Sequence, residues 1–219
     1  MTTPDSPPTT PNLRDLFPFF RTVNDVSETL CWQEFFGNDH PVELDIGCGR
    51  GLFLFNSSVA HPDTNYLGLE LDFKEARRTA RRLQRRNLPN SRVIGGDARG
   101  FLQMRVQPHS VDAAHVYFPD PWWKQKHRRR RLFNEEFANL LAVVVKPGGF
   151  VHSWTDVGEY FEVISGLMNH HALFTAQTPP EWHEPTHDMD YLTSFHRRRL
   201  QDGATIWRGL WQRRPLADV

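Results

Sequence analysis

The segment Val42-Glu43-Leu44-Asp45-Ile46-Gly47-Cys48-Gly49-Arg50-Gly51 decides how this chain folds. Its first half is a short apolar run of strand type, and its second half places three glycines at alternate positions directly after that strand. Glycines there let the backbone turn sharply and approach a ligand with no Cβ in the way. The helix expected to follow offers free N–H groups at its start. A dinucleotide fingerprint would require Gly-x-Gly-x-x-Gly, whose third glycine falls on position 52, occupied by Leu52. The spacing is instead Asp45-x-Gly47-x-Gly49-x-Gly51, and an acid just before the loop suits a ligand with an amino group better than a pyrophosphate.

Outward from this loop the same unit repeats. Strands are expected at Val42–Ile46, Asn65–Leu71, Arg92–Gly95, Val111–Phe118 and Gly149–Trp154. Helices are expected at Gly51–Ala60, Phe73–Arg86, Gly100–Arg105, Asn134–Val144 and Val157–His170. This alternation predicts an α/β fold, a Rossmann-like doubly wound and mostly parallel sheet. Further strands are expected near Ala172–Thr175, Ser194–Leu200 and Ala204–Trp211; the last two flank Asp202-Gly203 and predict a C-terminal antiparallel hairpin. Residues 1–12 read as a disordered tail, 13–40 as a helical extension and 41–214 as one catalytic domain.

Ligands of such sheets sit at the carboxyl edge. The second strand ends at Glu70, where an acid can accept from both hydroxyls of a ribose, and the third is followed by Asp97, near a base. With Asp45, Gly47, Gly49 and Gly51 these acids describe a pocket for S-adenosylmethionine, whose sulfonium and amino group favour acidic walls.

The charge is 26 basic against 26 acidic residues, a net of zero that argues against nucleic acid if taken as a sum. Its distribution argues the other way. Residues 1–72 hold 3 basic and 11 acidic side chains, and 73–131 hold 16 and 4. Residues 132–192 hold 1 and 9, and 193–219 hold 6 and 2. Arginine supplies 22 of the 26 cations, the side chain whose planar fork suits phosphate. Arg77, Arg81 and Arg85 recur at helical spacing, with Arg78, Arg82 and Arg86 beside them, and form one broad arginine face. Lys124, Lys126, Arg128, Arg129, Arg130 and Arg131 form a second run and Arg197, Arg198 and Arg199 a third; these read as RNA-backbone contacts. The longest apolar run, Leu140–Val145, is too short for a membrane span, the N-terminus has no secretory pattern, and two cysteines make no disulfide framework, so a cytoplasmic protein is expected. His183 and His187 sit in a proline-broken stretch without a third distant partner, and no metal site is expected.

The fourth strand runs into Phe118-Pro119-Asp120-Pro121-Trp122-Trp123. Prolines on both sides of Asp120 stiffen the turn, so its carboxylate should project from a fixed backbone. An acid, a proline and an aromatic beside a methyl donor suit the gripping of a planar base, with Trp122 as a stacking surface.

Phe118-Pro119-Asp120-Pro121-Trp122, followed by Lys124, His127 and Arg130-Arg131-Leu132, resembles the signature of the tRNA (guanine-N7-)-methyltransferase family, and the resemblance runs over residues 32–212. It implies a class I methyltransferase of the bacterial single-subunit type, acting with S-adenosylmethionine on tRNA. The expected product is N7-methylguanosine at the variable-loop guanosine (tRNA position 46). The partner is tRNA with no membrane and no obligatory protein subunit, the chain acting as monomer or homodimer. By the same resemblance Asp45, Glu70 and Asp97 match donor contacts, Asp120 matches the acid regarded as catalytic, and Lys124, Asp156 and Thr193 match substrate contacts. Two positions depart from the pattern: Trp123 stands where proline is usual, and His196, expected by the resemblance at a substrate contact, replaces the glutamate of a substrate-binding Thr-x-x-Glu motif. Two alternatives share these features: an amino methyltransferase on adenine, with an Asp/Asn-Pro-Pro-aromatic motif at this strand end, and a non-catalytic binder of structured RNA.

Overall fold

The computed structural model describes residues 13–26, 28–181, 183, 185–186 and 191–215. Its centre is an eight-stranded sheet: β1 (Phe20–Thr22), β2 (Val42–Ile46), β3 (Asn65–Glu70), β4 (Ser91–Gly95), β5 (Val111–Tyr117), β6 (Val145–Thr155), β7 (Phe174–Gln177) and β8 (Trp207–Arg213). The order across the sheet is β1-β4-β3-β2-β5-β6-β8-β7. The strands from β1 to β6 pair in parallel, and β8 pairs antiparallel with both β6 and β7.

The helices are α1 (Trp32–Phe36), α2 (Leu52–Ala60), α3 (Phe73–Arg85), α4 (Ala98–Arg105), α5 (Glu135–Val144), α6 (Gly158–His170) and α7 (Ser194–Gln201). Several begin at side-chain caps of the kind that halt a strand and start a helix. Asp72 accepts from the N–H groups of Lys74 and Glu75, Asp97 from Gly100, and Asn134 from Phe137. The chain steps from β2 through β3 to β4 in one direction and from β4 to β5 and β6 in the other. Right-handed crossovers then put α2 and α3 on one face and α4, α5 and α6 on the other. The apolar alternation of β2 follows: Val42, Leu44 and Ile46 join the large core under α4–α6, leaving Glu43 and Asp45 for the α2 side.

The β2-loop-α2 unit and the alternation after it form as the sequence predicts, and two stretches differ. The extension 13–40 carries α1 and 3-10 turns but also β1, an edge strand registered on Val93–Gly95. Residues 1–12, read as a disordered tail, lie outside the described residues, as does His187.

The expected strand Ser194–Leu200 is the helix α7. The Thr193 hydroxyl accepts from the His196 N–H at 2.9 Å and caps it, while Asp202 and Gly203 (φ +70°) end it. The Asp-Gly pair is thus a helix stop and not a hairpin turn. The antiparallel pairs are made by β8 with β6 and β7, and α7 packs back toward α2, near the bond from Asn56 Nδ2 to the Tyr191 carbonyl.

Candidate functional site

The glycine loop behaves differently at each of its three glycines. Gly47 (φ +81°) faces open space, with nothing within 4 Å of where a Cβ would stand. The N–H of Gly49 (φ +51°) donates to Glu70 Oε2 at 2.8 Å. At Gly51 (φ +64°) a Cβ would lie 2.1 Å from Thr79 Cγ2, so this glycine lets α3 pack against the loop.

Around the loop the strand ends build a cleft of about 710 Å³. Gly47 comes from the end of β2, Glu70 and Leu71 from β3, Gly96 and Asp97 from β4, and Tyr117, Phe118, Pro119, Asp120 and Trp122 from β5. Arg129 and Arg130 close it from the basic run. Both oxygens of Glu70 are fixed by backbone donors, Gly49 N–H on Oε2 and Asp72 N–H on Oε1 at 2.8 Å. Asp97 spends Oδ2 on the cap of α4. Asp45 lies beneath the loop, 3% exposed, where burial and then the charge of Glu70 push its carboxyl up to about 8.

The Asp120 turn is held in a sparsely populated backbone conformation at both ends: Phe118 has φ +53° and Trp122 φ +43°. Asp120 is exposed, and its Oδ1 accepts from the Trp122 N–H at 3.0 Å, closing a tight turn. The Nε–H of Arg131 donates to the Pro121 carbonyl at 2.7 Å, and its guanidinium lies 4.6 Å from the Tyr160 ring centroid. Arg99 Nη2 in turn donates to the carbonyls of Arg131 and Leu132. Arg131, expected as an RNA-backbone contact, is buried and supports the turn from inside.

The ring of Trp122 is already engaged: His127 stacks on it at 5.7 Å and 10°, and the Arg130 guanidinium lies 5.0 Å from its centroid. Arg128 bridges to Glu159 at 2.6 Å, while Lys124 and Lys126 are exposed beyond the turn.

Three expected substrate contacts are engaged with α7. Thr193 is its cap. Asp156 Oδ2 is paired with Arg199 Nε at 2.7 Å. His196 is fully buried behind the turn, stacked on Phe118 and edge-on to Trp154 and Tyr191. Burial, then the nearby Arg208 charge, lowers its imidazole to about 4, so it is neutral at pH 7. Arg77, Arg81 and Arg85 lie on α3, outside the cleft.

Sequence reasoning missed a polar file beside the loop. Tyr117 Oη lies 2.9 Å from His115 Nδ1, and His115 Nε2 lies 2.8 Å from Glu43 Oε2. The signal was there: His115 and Tyr117 are two apart on β5, and Glu43 stands on the same face of the adjacent β2.

A family model described as "Putative methyltransferase" matches residues 39–209. The tRNA (guanine-N(7)-)-methyltransferase of Rhodopirellula baltica is 37% identical over 206 residues, 91% of this chain and 76% of that protein. The enzyme of the same name from Geobacter metallireducens is 33% identical over 190 residues, 87% of this chain and 90% of that one. Among solved structures, a 16S rRNA (adenine(1408)-N(1))-methyltransferase variant from Catenulisporales acidiphilia superposes with a TM-score of 0.57. It is 16% identical, covers 86% of this chain and 92% of its own, and bears on the fold alone.

Proposed function

The chain belongs to the tRNA (guanine-N(7)-)-methyltransferase family, and from that premise we propose that it methylates N7 of the variable-loop guanosine of tRNA, with Asp120 holding the base. It is an S-adenosylmethionine-dependent methyltransferase. The observation that carries the reading is the placement of the Asp120 turn on the wall of the cleft that the glycine loop and three strand ends form.

The residues present fit that donor. Gly47 leaves the space that a Cβ would fill, Glu70 is oriented by two backbone donors, and Asp45 is an acid whose negative form burial and Glu70 disfavour and a cationic amino group would restore. Gly47, Glu70 and Asp97 would line the donor, and Asp45 and Gly49 would act from beneath through charge and loop shape. Bound, S-adenosylmethionine supplies an electrophilic methyl group on a sulfonium centre.

The protein's task is then alignment. N7 of guanine carries an in-plane lone pair, so no base has to remove a proton first. Holding reactants in line is worth up to about 7–11 kcal/mol in well-oriented systems. Asp120 accepts hydrogen bonds from the guanine edge and offsets the positive charge that develops on the methylated ring. Phe118 and Trp122 set the walls on either side of it. Arg131, Arg99 and His196 act through the turn and not on the substrate. Lys124, Lys126 and Arg130 offer cations to the RNA backbone at the mouth.

Incubation of the full chain with bulk tRNA and labelled donor, then nucleoside analysis and positional mapping, tests this reading. N7-methylguanosine in the variable loop is the expected product. N6-methyladenosine, or a methylated guanosine in another arm, would refute it.

A further inference from the structure

Away from the cleft, the arginine face of α3 is not a row of separately solvated side chains. Arg78, Arg81, Arg82, Arg85 and Arg86 converge with Phe55 of α2 around a depression of about 630 Å³. The Arg82 guanidinium carbon lies 4.2 Å from the Phe55 ring centroid and that of Arg86 lies 5.8 Å from it. Phe55 itself is 7% exposed, so the ring is a floor that the guanidiniums cover. Stacking on a ring fixes a guanidinium without using its N–H groups, whose fork is then free for a bidentate acceptor.

These charges have little internal compensation. The one acid on α3, Glu75, pairs with Arg78 at 2.9 Å and Arg50 at 3.6 Å, at the end nearer the cleft. Among the described residues no carboxylate lies within ion-pairing distance of Arg81, Arg82, Arg85 or Arg86. Burial, and less the neighbouring Arg86 charge, lowers the pKa of Arg82.

We propose that this guanidinium cup is a second RNA-backbone site, which clamps phosphates of folded tRNA at a fixed distance from the methyl-transfer cleft. The inference rests on the tRNA reading above and adds a length requirement to it. α3 starts beside Glu70 and Leu71 on the cleft wall, and Arg85 lies about 20 Å further along its axis at about 1.5 Å per residue. A short strand held at Asp120 does not reach the cup; a folded tRNA does. The phosphate backbone is favoured over an acidic protein because the cup shares its face of the sheet with α7, which packs through Phe195 and His196 on Phe118 and Trp154 of the α2–α3 side and carries Arg197 and Arg198. The other face carries Glu135, Glu136, Glu159 and Glu162 on α5 and α6. RNA entering the cleft along the basic side passes over α3.

The test compares the full-length wild type with Arg81→Gln/Arg85→Gln and Arg81→Lys/Arg85→Lys, none of which alters the cleft. Affinity for labelled tRNA, and for a trinucleotide centred on guanosine, is followed by anisotropy between about 50 and 200 mM salt. At about 3.4 Å per stacked nucleotide the trinucleotide spans far less than the cup distance. The glutamine variant is expected to lose tenfold or more in tRNA affinity at low salt and about 2 from the salt slope, with trinucleotide affinity unchanged; the lysine variant keeps the slope. Unchanged tRNA binding, or equal loss on both RNAs, overturns the cup. Wild type that binds in the expected pattern but makes no N7-methylguanosine refutes the reaction and leaves the cup standing.

Discussion

The imidazole of His196 stacks on the ring of Phe118, with centroids 5.7 Å apart and 28° between the planes. Phe118 opens the Asp120 turn in a left-handed backbone conformation, and His196 comes from α7, far along the chain. Where the family signature has a glutamate, this chain holds the turn from behind with a neutral ring. Burial and Arg208 keep His196 deprotonated in the folded state down to about pH 4, and burial and His115 keep His152 so down to about 3. Unfolded, both titrate near 6.5, so their stabilising contribution is complete above that pH and is lost as pH falls toward 4. The expected outcome is a melting temperature that falls steeply between pH 6.5 and 4. His196→Phe should flatten that fall by up to roughly 3 kcal/mol of the pH-dependent loss, measured by thermal unfolding across pH.

Asp45 titrates in the opposite sense. Its folded pKa is raised to about 8 by burial and Glu70, so the free protein loses stability from this group as pH rises from about 4 to 8. Asp45→Asn should therefore stabilise the free enzyme by roughly 2 kcal/mol at pH 8 and by less at pH 5. The same substitution should weaken S-adenosylmethionine binding tenfold or more. Calorimetry in buffers of different ionisation enthalpy should show proton release on donor binding at pH 7 in the wild type and none in the variant.

Asp120 stands at the cleft and is expected to act on the base. Asp120→Ala should lower kcat for methyl transfer to tRNA about 100-fold or more, with donor affinity within about twofold of wild type. Near-normal turnover would remove the assignment.

Arg131 separates support from contact. A phosphate contact, once removed, weakens tRNA binding and lowers the salt slope by about 1. Arg131 is buried with its Nε–H on the Pro121 carbonyl. Arg131→Ala is therefore expected to cut kcat by about 10–100-fold, through a turn that has lost a charged hydrogen bond of about 1.5–3 kcal/mol, with the salt slope unchanged.

The glycines of the loop should part company in the same way. Gly51→Ala drives a Cβ into Thr79 and should cost about 2–4 kcal/mol of stability by denaturant melting. Gly47→Ala meets open space, so its cost should be only about 1 kcal/mol of backbone strain. Its loss should appear instead as weaker donor binding.

Legibility followed how local the governing interaction is. The strand β2 and its glycine loop were readable because alternation and φ-positive turns are properties of a few adjacent residues. The helix α7 was not. The stretch Ser194-Phe195-His196-Arg197 gives no clear period, and Thr193 lacks the glutamate or glutamine three residues on that completes a capping box, so a strand followed by an Asp-Gly turn was the local reading. Its helical state is fixed by what it packs against, with His196 among Phe118, Trp154 and Tyr191 and Arg199 on Asp156. The arginine runs were visible as composition, but composition does not separate Arg131, buried on a carbonyl, from Arg81 and Arg85, which no described acid neutralises.

By itself the sequence determined the doubly wound architecture, the place of the glycine loop and its acids, and the Asp120 segment as the distinguishing turn. Hydrophobic period, glycine spacing and proline stiffness act over a handful of neighbouring residues, and no long-range contact is needed to read them. Only the tertiary structure decided which residues face the cleft. It engaged Thr193 as a cap and Asp156 in an ion pair, buried His196 and Arg131 behind the Asp120 turn, and gathered five arginines around Phe55. A side chain's role depends on burial and on partners brought from distant segments, and these exist only once the crossovers have placed α2, α3 and α7 on one face of the sheet.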